Sequence, residues 1–517
     1  MPIFTPFFLA FLMTSNTTRH LARLMLVLLT NACLAQSPKL KIEAELGGLV
    51  SSGSNTPFWL RANQFGSVPR QGPGVVGQLR VWRDYAPSDV ARPGVARPGA
   101  ARPDSARRNA VRVGFGLNPV VNVGAINQVI LVEGYAKVGW RGVEIWGGRR
   151  REQIGLGDTL LSSGFYAGAG NALPVPKVQF QTIGYRTLPF TRKFVAINAG
   201  IGHGWFAANY IQGAFLHQKH LHLRLGKPTA RTHFYTGVNH QAQWGGQADY
   251  LREPPSSAPD GRLPSSLRDF PYVLTATVPR DWYQQGYTAF DSYRIGNHLG
   301  SIDFGVSRQA KHGNWLLYHQ HPFEDVSGLL FINVPDGLWG LRWARNGADT
   351  PANFRFQRLT VEYLQTTNQS GPTFYITGSK YQGADNYFNH GQYVQGWSFR
   401  GNGIGTPLIP TRFDVRPELQ AQSGFYFPSN RVQSVYVGAQ AQWRDRLTLM
   451  SRLSVGRYYG TFAEPFSEPV NQFSALLMGQ LTLPRWRNMS LIGALAVDSG
   501  QLLNNSVGGY VGMRWSR

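Results

Sequence analysis

Val432–Trp443 reads VQSVYVGAQAQW, and the alternation within it decides the fold. Val435, Val437, Ala439, Ala441 and Trp443 fall on one face of an extended chain, with Gln440 and Gln442 on the other, because successive side chains of a strand point to opposite sides. The triplet RDR makes a tight turn, after which Leu447, Leu449, Leu453 and Val455 alternate with Thr448, Arg452 and Ser454. Beyond what reads as a longer loop, Ala475, Leu477, Leu481 and Leu483 repeat the pattern, and PRWRN turns the chain again. Leu491, Leu495 and Val497, then Val507, Val511, Met513 and Trp515, complete the set. Strands of about ten residues with one apolar and one polar face match those of a membrane-spanning barrel, apolar towards lipid and polar towards the lumen.

Upstream the same rhythm runs back to Val111 through VRVGFGLNPVVNVG, QVILVEGYAKVGW, GVEIWGGRR, HLHLRL, THFYTGVNHQAQW, SIDFGVSRQ and WLLYHQ. Outside the N-terminal leader no apolar run approaches the roughly 18 residues that a membrane helix needs, so any spanning is by strands. The chain has 517 residues, 42% hydrophobic and only 15% charged. With a mean hydropathy of -0.24, these values exclude both disorder and an α-helical membrane protein. Its 59 glycines and 14 tryptophans suit many turns and interfacial aromatic girdles, although a soluble β-sandwich array would share that composition. The expectation is an all-β chain forming a large antiparallel transmembrane β-barrel of roughly 18 strands with long extracellular loops.

Residues 1–35 read as a signal peptide, with Arg19, His20 and Arg23 before the apolar LMLVLLTNA and a small residue, Ala35, at the cleavage point. The apolar run FTPFFLAFLM that precedes Met13 leaves Met1 and Met13 as alternative starts. Residues 36–517 then form a single barrel domain. The one cysteine, Cys33, leaves with the leader, which removes disulfides, thiol catalysis and Cys-based metal sites. At about residues 86–109 the tandem Ala-Arg-Pro units of VARPGVARPGAARPDSARR suit neither helix nor central strand, and predict an exposed loop between two strands. A formal charge of +23 and a pI near 10.3 call for an anionic partner. The export signal turns that expectation from nucleic acid to lipopolysaccharide phosphates or an acidic polysaccharide.

The chemically richest stretch is Tyr381–Leu408, YQGADNYFNHGQYVQGWSFRGNGIGTPL. Its aromatics stand beside amides, a histidine and an arginine with few aliphatic residues, so it is expected to lie outside the core and to offer stacking faces ringed by hydrogen-bonding groups, as sugars require. The plainer alternative is a glycine-rich loop that bonds to itself. TPFWLRANQFGSVP (Thr56–Pro69), NALPVPKVQF (Asn171–Phe180), HFYTGVNHQAQWGG (His233–Gly246), DGLWGLRW (Asp336–Trp343) and VEYLQTTNQSGP (Val361–Pro372) precede this stretch, and the set in this order is more specific than any one of its pieces. The chain therefore resembles the Wzi-type capsule assembly proteins, outer-membrane barrels that act as surface lectins. The likeness runs over most of the mature chain at the level of segments. It implies a plugged or constricted lumen, attachment or assembly of capsular or extracellular polysaccharide at the cell surface, an outer-membrane location and insertion by the barrel assembly machinery, as a monomer and without a cofactor. The ending Trp515-Ser516-Arg517 departs from the terminal aromatic common in such barrels.

Pairing of arginine with aromatic residues suits acidic sugars, the guanidinium gripping a carboxylate while a ring stacks on the sugar. The ligand-binding candidates are Asn386, Tyr387, His390, Tyr393, Trp397, Arg400, Trp339 and Arg342, each of which has an internal salt bridge or an interfacial aromatic girdle as its structural alternative. Arg149, Arg150 and Arg151 after Trp146 form a further set of the same kind. His217, His220, His222, His312, His319 and His321 read as lumen lining rather than as a metal site, since no third ligand is fixed by spacing. Acids such as Asp303, Asp336, Glu362 and Asp385 read as turn formers or arginine partners, and neither G-x-S-x-G nor H-E-x-x-H occurs. No catalytic residue is therefore assigned. The alternatives to a lectin are a porin-like channel for anionic solutes and a secreted polysaccharide-active enzyme.

Overall fold

A computed structural model describes residues 40–85, 111–254, 256, 258–281, 287–288, 294–347, 353–374 and 383–517. The signal peptide and the Ala-Arg-Pro insert lie outside the described residues. What alternation predicts in the C-terminal quarter extends round the whole chain, because every strand pairs antiparallel with its sequence neighbours and the last returns to the first. The strands are β1 (Lys41–Ser51), β2 (Gly74–Arg83), β3 (Arg112–Gly124), β4 (Gln128–Trp140), β5 (Val143–Arg149), β6 (Lys177–Thr182), β7 (Val195–Phe206), β8 (Ala214–Leu225) and β9 (Thr232–Trp244). They continue with β10 (Asn297–Gln309), β11 (Gly313–Phe323), β12 (Gly337–Arg345), β13 (Phe354–Gln365), β14 (Val432–Trp443), β15 (Leu447–Gly460), β16 (Pro465–Thr482), β17 (Met489–Gly500) and β18 (Ser506–Ser516). Arg186–Thr187 prolongs β6 against β7 after a short break, so the result is a closed 18-strand barrel. Closure leaves no sheet edge at the seam, where Leu46 of β1 faces Met513 of β18.

Within β14, Val435 and Trp443 are exposed on the outer face while Ser434 and Tyr436 are buried towards the lumen, the arrangement that the alternation predicts. One boundary differs. The longer loop expected before Ala475 shrinks to residues 461–464, because β15 and β16 extend to bury Tyr458, Phe466 and Val470. Pro469, which suggests a loop, lies between Pro465 and Val470 where the register shifts and no residue is paired, so its missing N–H costs no ladder bond. Outward aromatics mark two levels. Trp140, Phe234, Trp315, Phe354 and Trp443 ring the end that carries the tight turns, and Trp205 and Trp339 stand near the end that carries the long loops. This is the girdle pattern of an outer-membrane barrel, with short turns periplasmic and long loops extracellular.

Three of the long loops enter the barrel. Segments 52–73, 150–176 and the described part of 366–431 turn inwards, and their Trp59, Tyr166, Tyr387, Phe388, Trp397 and Phe427 pack into a single core with Tyr436 of β14. Lumen side chains hold the backbone of this plug. Asp498 accepts from Phe58 N at 2.8 Å, Asp303 from Leu156 N at 2.8 Å, Glu362 from Ser163 N at 2.6 Å and Gln320 from Tyr166 N at 2.7 Å. Irregular backbone inside a barrel has to be satisfied by partners other than water, and here the wall supplies them. Several acids read as arginine partners are thus plug anchors.

The histidines divide in a way that alternation alone does not settle. His220 and His222 line the lumen, His222 at 3.1 Å from Asp303. His217, His319 and His321 are of the opposite parity and face outwards, which corrects the lumen reading for these three. His217 is covered by the ring of Phe270 at 5.5 Å, in the short helix Phe270–Thr275 that folds down the outer wall, and His321 is stacked at 4.4 Å on Phe331. Apolar covers of this kind let a polar ring sit on the outer face of a strand. Among the described residues no group of three or more His, Cys, Asp or Glu is placed to hold a metal ion.

β5 is short, with seven residues. It pairs with β4 from Trp140 back to Gly134 and then leaves at Arg149 for the plug, whereas β4 continues to Gln128 with only β3 beside it. A notch therefore opens in the extracellular half of the wall, bounded below by Gly148. That glycine has φ 120°, and a Cβ there would collide with the Gly134 carbonyl oxygen. Gly148→Ala is expected to destabilise the β4–β5 hairpin by about 1–3 kcal/mol from backbone strain alone, with the collision adding to it. A reduced fraction of heat-modifiable, folded barrel on unheated gels would register the loss.

Candidate functional site

The structure reverses one expectation about Tyr381–Leu408. Its described part, from Gly383 on, is core rather than open surface: Tyr387, Phe388, Tyr393, Trp397 and Phe399 are all 2% exposed or less. The reason is that aromatic rings, unlike aliphatic chains, can fill a barrel interior while their polar atoms reach backbone. Tyr387 OH donates to Asp336 at 3.1 Å and accepts from Asn333 at 2.7 Å, and Tyr393 OH donates to the Gly245 carbonyl at 3.1 Å. Neither these two tyrosines nor Trp397 presents a free face to a sugar in this structure.

The other candidates are spread apart. Asn386 Oδ1 accepts from Asn430 at 2.6 Å and from Asn389 at 3.0 Å. His390 Nδ1 accepts from the backbone of Gln392 at 3.1 Å and caps the following turn. Trp339 belongs to the outer aromatic level, stacked 3.7 Å from His319. Arg342, three residues on and therefore on the opposite face, points into the lumen towards Asp158. Of the candidates on the 383–403 loop, Arg400 alone is exposed. It occupies the tip of a two-residue hairpin, Ser398–Phe399 against Asn402–Gly403, where Arg400 and Gly401 take φ values of 51° and 88°. Two consecutive left-handed residues make the turn that matches strand twist, and they hold the arginine outwards.

Arg400 lines a cavity of about 490 Å³ together with Arg61, Arg70, Arg149, Asn402 and Gln128. Arg61 and Arg70 both bind one carboxylate oxygen of Asp414, at 2.8 and 2.6 Å. Burial alone would raise the Asp414 carboxyl, but the two guanidiniums outweigh it and hold it below its ordinary range. Arg70 also donates to the Gly401 carbonyl at 2.7 Å and to Asn402 at 2.8 Å, so it braces the hairpin that carries Arg400. Among the described residues no ion pair joins a carboxylate to Arg149 or Arg400, and four arginines meet one acid. Sequence reading missed Arg61, Arg70 and Asp414. The only signal was that Arg61 lies within the TPFWLRANQFGSVP segment and Arg70 directly follows it, while Asp414 lies 344 residues beyond Arg70.

Around Tyr166 lie the acids Glu324, Asp336 and Asp385, with Asp325 beside Asp385. Burial, reinforced by the charge of Asp325, pushes the Asp385 carboxyl up to about 8 against hydrogen bonds from Ser370 and Ser327. Burial likewise lifts Asp336 to about 6 although the Gln369 and Asn368 amides oppose it. Unfolded, both carboxyls titrate near 3.8. Their contribution to plug stability is therefore complete below that pH and is lost as the pH rises through about 6 and then about 8. Amide exchange over residues 383–390, corrected for intrinsic rate, is expected to be faster at pH 8.5 than at pH 5.5, and Asp385→Asn is expected to flatten that dependence.

No family model matches the chain, and no curated protein matches it in sequence. Among solved structures it is similar to Wzi of Escherichia coli, described as an outer membrane protein involved in group 1 capsule assembly and a carbohydrate binding β-barrel. The TM-score is 0.56 and the identity 14%, over 91% of this chain and 83% of that one. It is also similar to two Pseudomonas aeruginosa proteins. OccK5 gives a TM-score of 0.44 at 8% identity, over 92% and 97% of the two chains, and the outer membrane protein OprD gives 0.43 at 9%, over 92% and 93%. The first likeness is one of fold. Together with the closed wall and its apolar outer face, it establishes a multi-pass β-barrel of the outer membrane.

Proposed function

We propose that this barrel binds capsular or extracellular polysaccharide at the outer face of the outer membrane and holds it to the cell noncovalently. The observation that carries this reading is the plug. Three inward loop segments fill the interior with an aromatic core, and the wall anchors their backbone, so the polar groups left free for a large ligand lie at the outer rim. The fold likeness to a barrel described as carbohydrate binding adds to it. In this reading Arg400 is a contact residue for acidic sugars, while Tyr387, Tyr393 and Trp397 are the framework that sets the hairpin in place, and Arg342 and Trp339 serve the wall. The polymer is acidic because the chain carries +23. The protein acts as a monomer delivered by the barrel assembly machinery, and catalysis has no part in the mechanism.

The test is deletion of the gene in the native host, with the polymer measured in cell-attached and medium fractions against a complemented strain. Polymer that is still made but shifts into the medium is the expected result. If its amount and location stay the same, the reading fails. A channel for anionic solutes is favoured by the lumen arginines Arg80, Arg150 and Arg151, but Arg80 and Arg150 are paired at 2.7 and 2.6 Å with Glu133 and Glu144, and Arg151 stands 3.7 Å from Glu133. Reconstituted in a planar bilayer, the protein is expected to show little conductance. Large, anion-selective steps would favour the channel.

A further inference from the structure

The notch above β5 is more than a gap in hydrogen bonding. Arg149 closes its lower end and, by the alternation of β5, has the same parity as the outward-facing Ile145. Its guanidinium donates to the Leu131 carbonyl at 3.2 Å, a neutral partner, and it lines the same cavity as Arg400. Arg61 and Arg70 neutralise one charge between them through Asp414. Among the described residues, therefore, Arg149 and Arg400 have no carboxylate partner and Arg61 and Arg70 share one, which leaves positive charge in excess around a cavity of about 490 Å³. The mouth of this cavity is apolar, since Val129 and Leu131 on the unpaired edge of β4 are 76% and 42% exposed. Cationic side chains at the lipid face of a barrel are unfavourable unless an anion or water meets them. A cavity with an arginine-lined interior and an aliphatic mouth at the membrane-facing wall suits an amphiphile whose headgroup is anionic.

We propose that the notch binds the anionic headgroup of an outer-leaflet glycolipid, with phosphate or carboxylate oxygens received by Arg149 and Arg400 and acyl chain lying against Val129 and Leu131. The site is thus a membrane contact that shares Arg400 with the proposed polymer surface, and it does not rest on the polysaccharide reading. Arginine suits the task because its planar fork meets two oxygens of one phosphate or carboxylate. The plug joins in through Arg70, which braces the Arg400 hairpin, so an occupied notch also steadies the plug.

The experiment is native mass spectrometry of the intact barrel, purified in detergent and incubated with phosphorylated lipid A or with its dephosphorylated form. Wild type is expected to retain the phosphorylated lipid, Arg149→Gln to retain at least tenfold less, and the dephosphorylated lipid to bind to neither. Equal retention by wild type and Arg149→Gln overturns the proposal. So does a variant that keeps the lipid but loses binding of a soluble polyuronate, which would give the cavity to the free polymer. Heat-modifiable mobility reports whether the variant barrel is folded. Should Arg149→Gln fail to assemble, Arg400→Gln, at a solvent-exposed hairpin tip, is held to the same tenfold criterion.

Discussion

Replacing Trp397 by alanine is expected to unseat the plug while leaving the barrel wall closed. The indole is fully buried, 6.5 Å from the ring of Phe206 on β7, and its backbone N–H donates to the Phe388 carbonyl at 2.9 Å. Truncating a buried tryptophan in a packed core costs about 3–5 kcal/mol, through lost transfer energy and the cavity left behind. The indole N–H has no hydrogen-bond partner among the described residues, so the change strands no other polar group. The wall, by contrast, is held by continuous ladders from β1 round to β18, none of which passes through the plug. The loss therefore falls on the 366–431 segment. Bilayer conductance is expected to rise, and an added protease to cut within that segment, while heat-modifiable mobility is unchanged. A variant with wild-type conductance and wild-type protease resistance would show that the aromatic core does not seal the barrel.

The wall was legible in the sequence because alternation is a local property. The two faces of β14 follow directly from VQSVYVGAQAQW, and the same parity places Arg452 and Ser454 in the lumen, where they meet Leu160 and Trp59 of the plug. Parity does not say what covers an outward side chain. His217, His319 and His321 were misread for that reason, since Phe270, Trp339 and Phe331 cap them from other parts of the chain. The Tyr381–Leu408 stretch was misread for the converse reason. Its amides and tyrosine hydroxyls suggested a wet surface, yet Asn386 and Tyr387 find partners distant in sequence, in Asn430 and Asn333. The rim cavity was illegible altogether: segment 61–70, the end of β5, the start of β4 and the 400–402 hairpin converge only after closure. What a sequence shows of a barrel is its wall, whereas its site is assembled from loops whose contacts carry no period.

Asp158 provides the sharpest test of how the plug is tied to the wall. It sits in segment 150–176 and its carboxylate accepts from the amides of Leu160 and Leu161 at 2.8 and 3.0 Å, capping a turn. The other oxygen meets Arg358 of β13 at 2.7 Å and Arg342 of β12 at 3.9 Å. Asp158→Ala removes all of these at once and leaves Arg342, whose side chain is only 9% exposed, without its anion. Breaking a buried pair from one side costs about 3–5 kcal/mol, because the remaining charge stays desolvated. Asp158→Asn keeps an oxygen for the turn but sets a donor nitrogen where Arg358 had an acceptor, so it is expected to fall between wild type and Asp158→Ala in protease resistance of the 150–176 segment. Arg342→Ala leaves Asp158 its stronger partner, Arg358, and is expected to be the mildest of the three. If Arg342 instead contacts polysaccharide, Arg342→Ala weakens polymer binding while the plug stays as resistant as in wild type. The two measurements made on one variant thus decide whether this arginine serves the ligand or the fold, and the 2.7 Å bond from Arg358 to Asp158 is the reason to expect the fold.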